Sequence, residues 1–198
     1  VRDDGVFAGL TYQRSENVVA WHRHLLGGTF GTGSSATGYG VVESVASISG
    51  ELTEDELYVI VKRTINGATK RYVEVFAPFD FDETTSTDFR FLDSHLTYSG
   101  GSTTTLSGLS HLEGQVVSIL ADGATHADKT VSSGSITLDR SVTSAVVGLK
   151  YDSVLQTMRV EGGAAQGTSQ GKIKRISKVV LRLFETVGAK VGPTLTDL

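Results

Sequence analysis

Two β-rich runs joined by Asn66-Gly67 constrain the fold of this chain more than any other feature. Asn-Gly between such runs is the strongest short-range hairpin signal. In the stretch from Leu57 to Phe76 (LYVIVKRTINGATKRYVEVF), Leu57, Val59, Val61, Arg63 and Ile65 share one face, and Tyr58, Ile60, Lys62 and Thr64 share the other. Both faces carry large apolar groups, so the hairpin is expected to be covered on both sides, inside a stack of sheets. Charge bears on the register. A two-residue loop sets Lys62 opposite Arg71 and Arg63 opposite Lys70, and like charges directly opposite destabilise a pair. A four-residue loop, Asn66 to Thr69, sets Lys62 opposite Val73, Arg63 opposite Tyr72 and Val61 opposite Glu74; this longer loop is the register expected.

The remaining sequence extends the β pattern in both directions. Leu10 to Tyr12, Asn17 to His24 and Val41 to Ile48 read as strands, and Gly27 to Gly40 as a long Gly/Ser/Thr-rich hairpin loop. Val18 to Phe76 then gives four successive strands, an antiparallel meander the size of one propeller blade. Residues 1–80 form this meander and 81–91 an acidic, polar linker. Residues 92–161 form a small β-barrel or sandwich module with hairpin turns at Asp122-Gly123 and Ser133-Gly134. Its expected strands are Leu96–Tyr98, Thr103–Leu106, Val116–Ala121, His126–Val131, Gly134–Leu138, Ala145–Leu149 and Val154–Val160. Ser110-x-x-Glu113 matches a capping box, but Gly114 and the β-branched Val116-Val117 stop any helix within about a turn. Residues 162–198 hold a Gly/Ala/Gln/Ser linker and a returning basic strand from Ile173 to Val187. The fold class expected is all-β: a blade-like meander plus a small β module.

Composition narrows the chemistry. The 198 residues carry 39% hydrophobic side chains, enough for a core, with 23 glycines, two prolines and no cysteine. A disulfide scaffold and a thiolate metal site are excluded, and a reducing compartment fits. A net charge of −4 gives no bulk attraction to nucleic acid or anionic membrane. No apolar run is long enough to span a membrane as a helix, and no signal-peptide pattern is present. The start at Val1 without Met reads as a piece cut from a longer protein.

Five constellations invite a chemical reading. His22 and His24 point the same way from one strand, as paired metal ligands would, but no third ligand follows at a telling spacing. Gly31-Thr-Gly33-Ser-Ser-Ala36 fits the dinucleotide string without the strand, helix and parallel sheet that chemistry needs, so a mobile loop tip is expected. Asp80, Asp82 and Glu83 cluster in the linker and lack the glycine and terminal glutamate of a calcium hand. Lys172, Lys174, Arg175, Lys178 and Arg182, with Lys190, give the last segment a local +5 against Glu185. They are candidate subunit or DNA contacts. Tyr39, Phe79, Phe81 and Tyr98 are candidate adhesive aromatics for a host-surface or carbohydrate ligand. No nucleophile with a base, no catalytic set, no cofactor site and no metal site emerges, and the chain reads as non-enzymatic.

A resemblance runs through most of the chain. It is carried by Leu10–Arg14 (LTYQR), Ala20–His24 (AWHRH), Val42–Val45 (VESV), Leu57–Gly67 and Arg71–Glu74 (RYVE). In the second half Gly108–Gly114 (GLSHLEG), Leu120–Gly123 (LADG), Leu155–Met158 and Leu183–Thr186 add to it. Together these resemble the tail nozzle proteins of short-tailed bacteriophages, also called tail tubular protein B or stabilisation proteins. The resemblance implies a virion tail component assembled in the host cytoplasm. It implies propeller-like bodies with added β domains, and copies closed in a ring below the portal and its adaptor. DNA would be only passing cargo, which suits a mildly acidic conduit. The family is much longer than 198 residues, so this chain would be a central or C-terminal part. No family residue is catalytic, and none is carried over as such.

Overall fold

The structure is a computed structural model that describes residues 1–50, 55–77, 89–158, 168, 171, 173, 175–183, 186, 189–194, 196 and 197. Two compact units make up the chain, Val1–Asp152 and Ser153–Leu198. The described residues are all-β and antiparallel, with two single 3₁₀ turns, Gly33–Ser35 and Ser110–Leu112, and no α-helix. None of them forms a helix long and apolar enough to cross a membrane.

The described residues of the first unit hold nine strands in three sheets. β1 (Phe7–Gln13) and β2 (Val18–His24) form a two-stranded ribbon, and β3 (Val41–Ile48), β4 (Glu56–Ile65) and β5 (Ala68–Val75) a three-stranded meander. β6 (Asp93–Ser107), β7 (Val116–Ala121), β8 (Ala124–Thr130) and β9 (Ser135–Leu149) form a sheet in the order β6-β9-β7-β8. The expected four-strand meander is thus divided. Between β2 and β3 the glycine-rich loop intervenes, and only an isolated bridge, Leu26 to Gly40, spans it.

The Asn66-Gly67 hairpin forms with the shorter loop. Ile65 faces Ala68, Lys62 faces Arg71 and Arg63 faces Lys70, so the expected four-residue register is corrected. Asn66 and Gly67 have φ of 48° and 73°, the primed turn whose twist matches that of the strands. The like charges are relieved from outside the hairpin. Glu43, at a bulge in β3, pairs with Lys62 at 3.0 Å and with Arg71 at 2.7 Å. Hydrogen bonds from Arg71 and Lys62 hold the Glu43 carboxyl down to about 2. Because the folded value lies below the ordinary one, this clamp stabilises fully above about pH 4.5 and is lost as pH falls towards 2. Acid unfolding followed by circular dichroism should therefore be less steep across that window in Glu43→Gln than in the parent chain. An unchanged slope would mean that the clamp does not contribute.

The meander is covered on one face only. Val59, Val61, Arg63 and Ile65 are buried, whereas Ile60, Val73 and Val75 on the other face are exposed. Within this chain that second face is uncovered over Ile60, Val73 and Val75, while at its other end Lys62 lies 4.3 Å over the Phe30 ring and pairs with Glu43. Beneath the buried face Leu26, Val42, Val59 and Val61 pack with Phe7, Val45 and Phe76.

In the β6–β9 sheet, strands expected to be separate are continuous. β6 runs through Gly100-Gly101 and β9 through Asp139–Ser144, with register shifts at Ser99/Thr103 and Thr103/Thr105. Bulges and strand glycines bend a strand without ending it, so one strand serves two parts of a curled sheet. The curl brings β8 back to β9: Lys129 Nζ lies 2.5 Å from Asp139 Oδ1, and the Asp139 amide donates to His126 Nε2 at 3.0 Å. Inside lie Leu106, Leu109, Leu112, Val117, Ile119 and Val147 among others, the larger of the two cores. Both turns of this module are primed, with positive φ at Asp122, Gly123, Ser133 and Gly134. Amides of Ser144 and Thr143, with Arg140, bind the Asp122 carboxylate and hold it down to about 2. The capping-box match makes no cap. Glu113 instead accepts the Ser133 and Gly134 amides, at 2.9 and 2.8 Å.

In the second unit the expected strands Val154–Val160 and Ile173–Val187 do not form among the described residues. The only bridge among the described residues of that unit, Thr194 to Asp197, lies outside both expected strands. β-branched composition favours extended backbone, but a strand also needs a paired edge.

Candidate functional site

The most constrained polar cluster in the first unit is built on Arg63. Alternation along β4 sends this arginine to the same side as Val59 and Val61, and it is 0% exposed. Its Nη1 and Nη2 donate to the two Glu74 oxygens at 2.5 and 3.0 Å, and its Nε donates to the Gly27 carbonyl at 2.7 Å. The Gly27 amide in turn donates to Asp93 Oδ2 at 2.6 Å. Burial pushes the Asp93 carboxyl up, opposed by the Gly27 amide and then by Arg63. Burial also raises the Tyr151 hydroxyl, with Asp93 adding to it.

The glycine-rich loop exists in this form because of that arginine. A Cβ on Gly28, whose φ is +95°, would sit 2.8 Å from Arg63 Cδ, and one on Gly40 would sit 3.0 Å from Arg63 Nε. The base of the loop is fastened, while its tip at residues 32–36 is exposed. Gly31 donates to Thr64 Oγ1 at 2.9 Å, the Thr64 amide donates to Thr29, and Thr37 Oγ1 joins Phe30 to Tyr39. Two further bonds fasten the meander to the β6–β9 module. Tyr72 donates to the His111 carbonyl at 3.0 Å, and Gln115 to the Thr64 carbonyl at 3.4 Å.

Chemically, this knot is closed. Every guanidinium edge that reaches the carboxylate or carbonyl is used, and among the described residues no buried side-chain nitrogen or oxygen lacks a partner. A reagent group keeps a lone pair or proton free for substrate; the Arg63 guanidinium is spent on both Glu74 oxygens and the Gly27 carbonyl. Its chemistry is that of a fastener between the loop, the meander and the next module.

The candidate residues named from sequence are dispersed. Lys172, Lys174, Phe79, Phe81, Asp80, Asp82 and Glu83 lie outside the described residues. Arg175, Lys178 and Arg182 are exposed and in no strand. The Tyr39 hydroxyl donates to the Asp4 carbonyl and that of Tyr98 to the Gly101 carbonyl; no ring contact joins the two tyrosines. His22 and His24 do converge, Nδ1 to Nε2 at 2.8 Å, with His24 packed between Phe7 and Phe76. Burial, then the neighbouring His22, lowers the His24 pKa. Among the described residues no third metal-ligating side chain joins them.

Two features escaped sequence reasoning. One is the knot, whose signal is an arginine standing in an alternating apolar face. The other is the exposed aromatic face of the ribbon, with Tyr12 and Trp21 at 66% and 73% exposure. No protein-family profile matches the chain, and no curated protein matches it significantly.

Proposed function

We propose that this chain is a non-enzymatic structural part of a short-tailed phage tail, within a nozzle subunit whose copies form a conduit for DNA ejection. The observation that carries the reading is the pair of uncovered apolar sheet faces in one unit: the β1–β2 ribbon and the outer side of the β3–β5 meander. Contiguous apolar surface of this kind marks surfaces that meet other protein. The motifs quoted above supply the kind of assembly. In this reading the meander is part of a propeller-like blade, portal and adaptor proteins are neighbours, and DNA passes without being held. The closed Arg63 knot suits a component that bears load rather than one that turns over substrate.

The host-surface alternative finds less support. The hydroxyls of Tyr39 and Tyr98 are both committed to backbone carbonyls of their own chain.

The test is the mass and shape of the full-length protein, alone and with portal and adaptor, by sedimentation and electron microscopy. A closed ring with a central opening is expected. Monomers at every concentration, with portal present, would overturn the reading.

A further inference from the structure

The β1–β2 ribbon pairs with no other strand among the described residues. Leu10 pairs with Trp21 and Tyr12 with Val19, so these four side chains share one face, and each is between 44% and 73% exposed. Arg23, opposite Ala8, lies on the same face and makes no ion pair among the described residues. A two-stranded ribbon is at best marginally stable in water on its own. Here the base is anchored through Phe7 and His24 against Phe76.

A second uncovered face lies on the same unit. On the outer side of the meander Ile60 faces Val73 and Tyr58 faces Val75. Ile60, Val73 and Val75 are 37%, 70% and 52% exposed, and Ile48 on β3 is 52% exposed. Glu56 heads this apolar half. It accepts only the Tyr58 hydroxyl, at 2.7 Å, and has no cation among the described residues. At the far end the charges are already closed on Glu43. One face is thus apolar with a free cation and the other apolar with a free anion. Both are open on the first unit, so they do not cover each other within it.

We propose that the Trp21–Tyr12 face of one copy docks on the Ile60–Val73–Val75 face of a second copy, with Arg23 meeting Glu56. Two different patches meet, so the contact is heterologous: each copy keeps one free face of each kind, and association continues to a ring or a filament. Tryptophan, tyrosine and arginine are the residue types that most often dominate such contacts. The inference names the contact surfaces for the ring-subunit reading and rests on it for biological meaning. Its test needs only this chain.

The chain and two variants, Trp21→Glu and Val73→Glu, would be sedimented over a concentration series, with far-UV circular dichroism confirming that each is folded. The parent should grow beyond a dimer. Each variant alone should associate at least about tenfold more weakly. An equimolar mixture of the two should form dimers that grow no further, because the mixture retains one intact pair of faces. Arg23→Glu should weaken association, and adding Glu56→Arg should restore it. A parent that stays monomeric throughout overturns the proposal. So does a Val73→Glu variant that associates like the parent while Trp21→Glu does not, which would mean ribbon against ribbon. If the contact fails here but the full-length protein still closes into rings, the nozzle reading stands and the ring surfaces lie elsewhere.

Discussion

Arg63→Ala will lower the free energy of unfolding by about 3–5 kcal/mol, the range seen when one partner of a buried ion pair is removed. The side chain is 0% exposed, and truncation strips Glu74 of its bidentate partner and Gly27 of its donor. The glycines around it cannot close the gap, since Gly28 and Gly40 have no side chain to move in. Urea unfolding measures the loss. Arg63→Met combined with Glu74→Leu should cost much less than Arg63→Ala, because well-packed apolar pairs replace buried ion pairs with little penalty. A loss below about 1 kcal/mol for Arg63→Ala would show that water reaches the site and that the knot contributes little.

The second large effect is expected at Leu112. It sits on the short 3₁₀ turn and is 0% exposed in the larger core, beside Leu109 and Leu106. Leu112→Ala should cost about 2–5 kcal/mol in the same unfolding experiment, the transfer of the lost methyl groups plus the cavity they leave. The two substitutions also report on each other. Tyr72 and Gln115 tie the meander to the module, so a single transition should shift in both variants. Two separable transitions, each moved by only one substitution, would mean that the modules unfold independently.

The turns were the most legible part of the sequence. Asn66-Gly67 and Asp122-Gly123 form hairpins, because adjacent positive φ values are tolerated by few residue pairs, whereas Ser133-Gly134 makes the same primed turn closed by the isolated Ser132–Ser135 bridge, with no ladder between β8 and β9. The bounds of β7 follow from its alternation. What was hidden depends on residues distant in sequence. The register at Lys62 and Arg71 is decided by Glu43, on another strand, which no pairwise rule within the hairpin contains. The breaks read at Gly100-Gly101 and Asp139–Ser144 are bends, since strand continuity is set by the partner rather than by local polarity. The fastening of the glycine-rich loop's base is invisible in the sequence because the role of Gly28 and Gly40, making room for a buried guanidinium, shows only once Arg63 is known to point inward. An arginine between valines was the available hint.

The link from Gly27 to Asp93 spans 66 residues of chain. Synthesis proceeds from the N-terminus, so the loop and the meander are made well before their acceptor emerges. Closing so long a loop costs entropy that local hairpins do not incur. The hairpins form early and the lock across them closes late. The β6–β9 module thus supplies the last tie of the meander that precedes it, and a chain interrupted ahead of residue 93 would keep the loop on Arg63 and Thr64 but lack the carboxylate that holds its Gly27 amide.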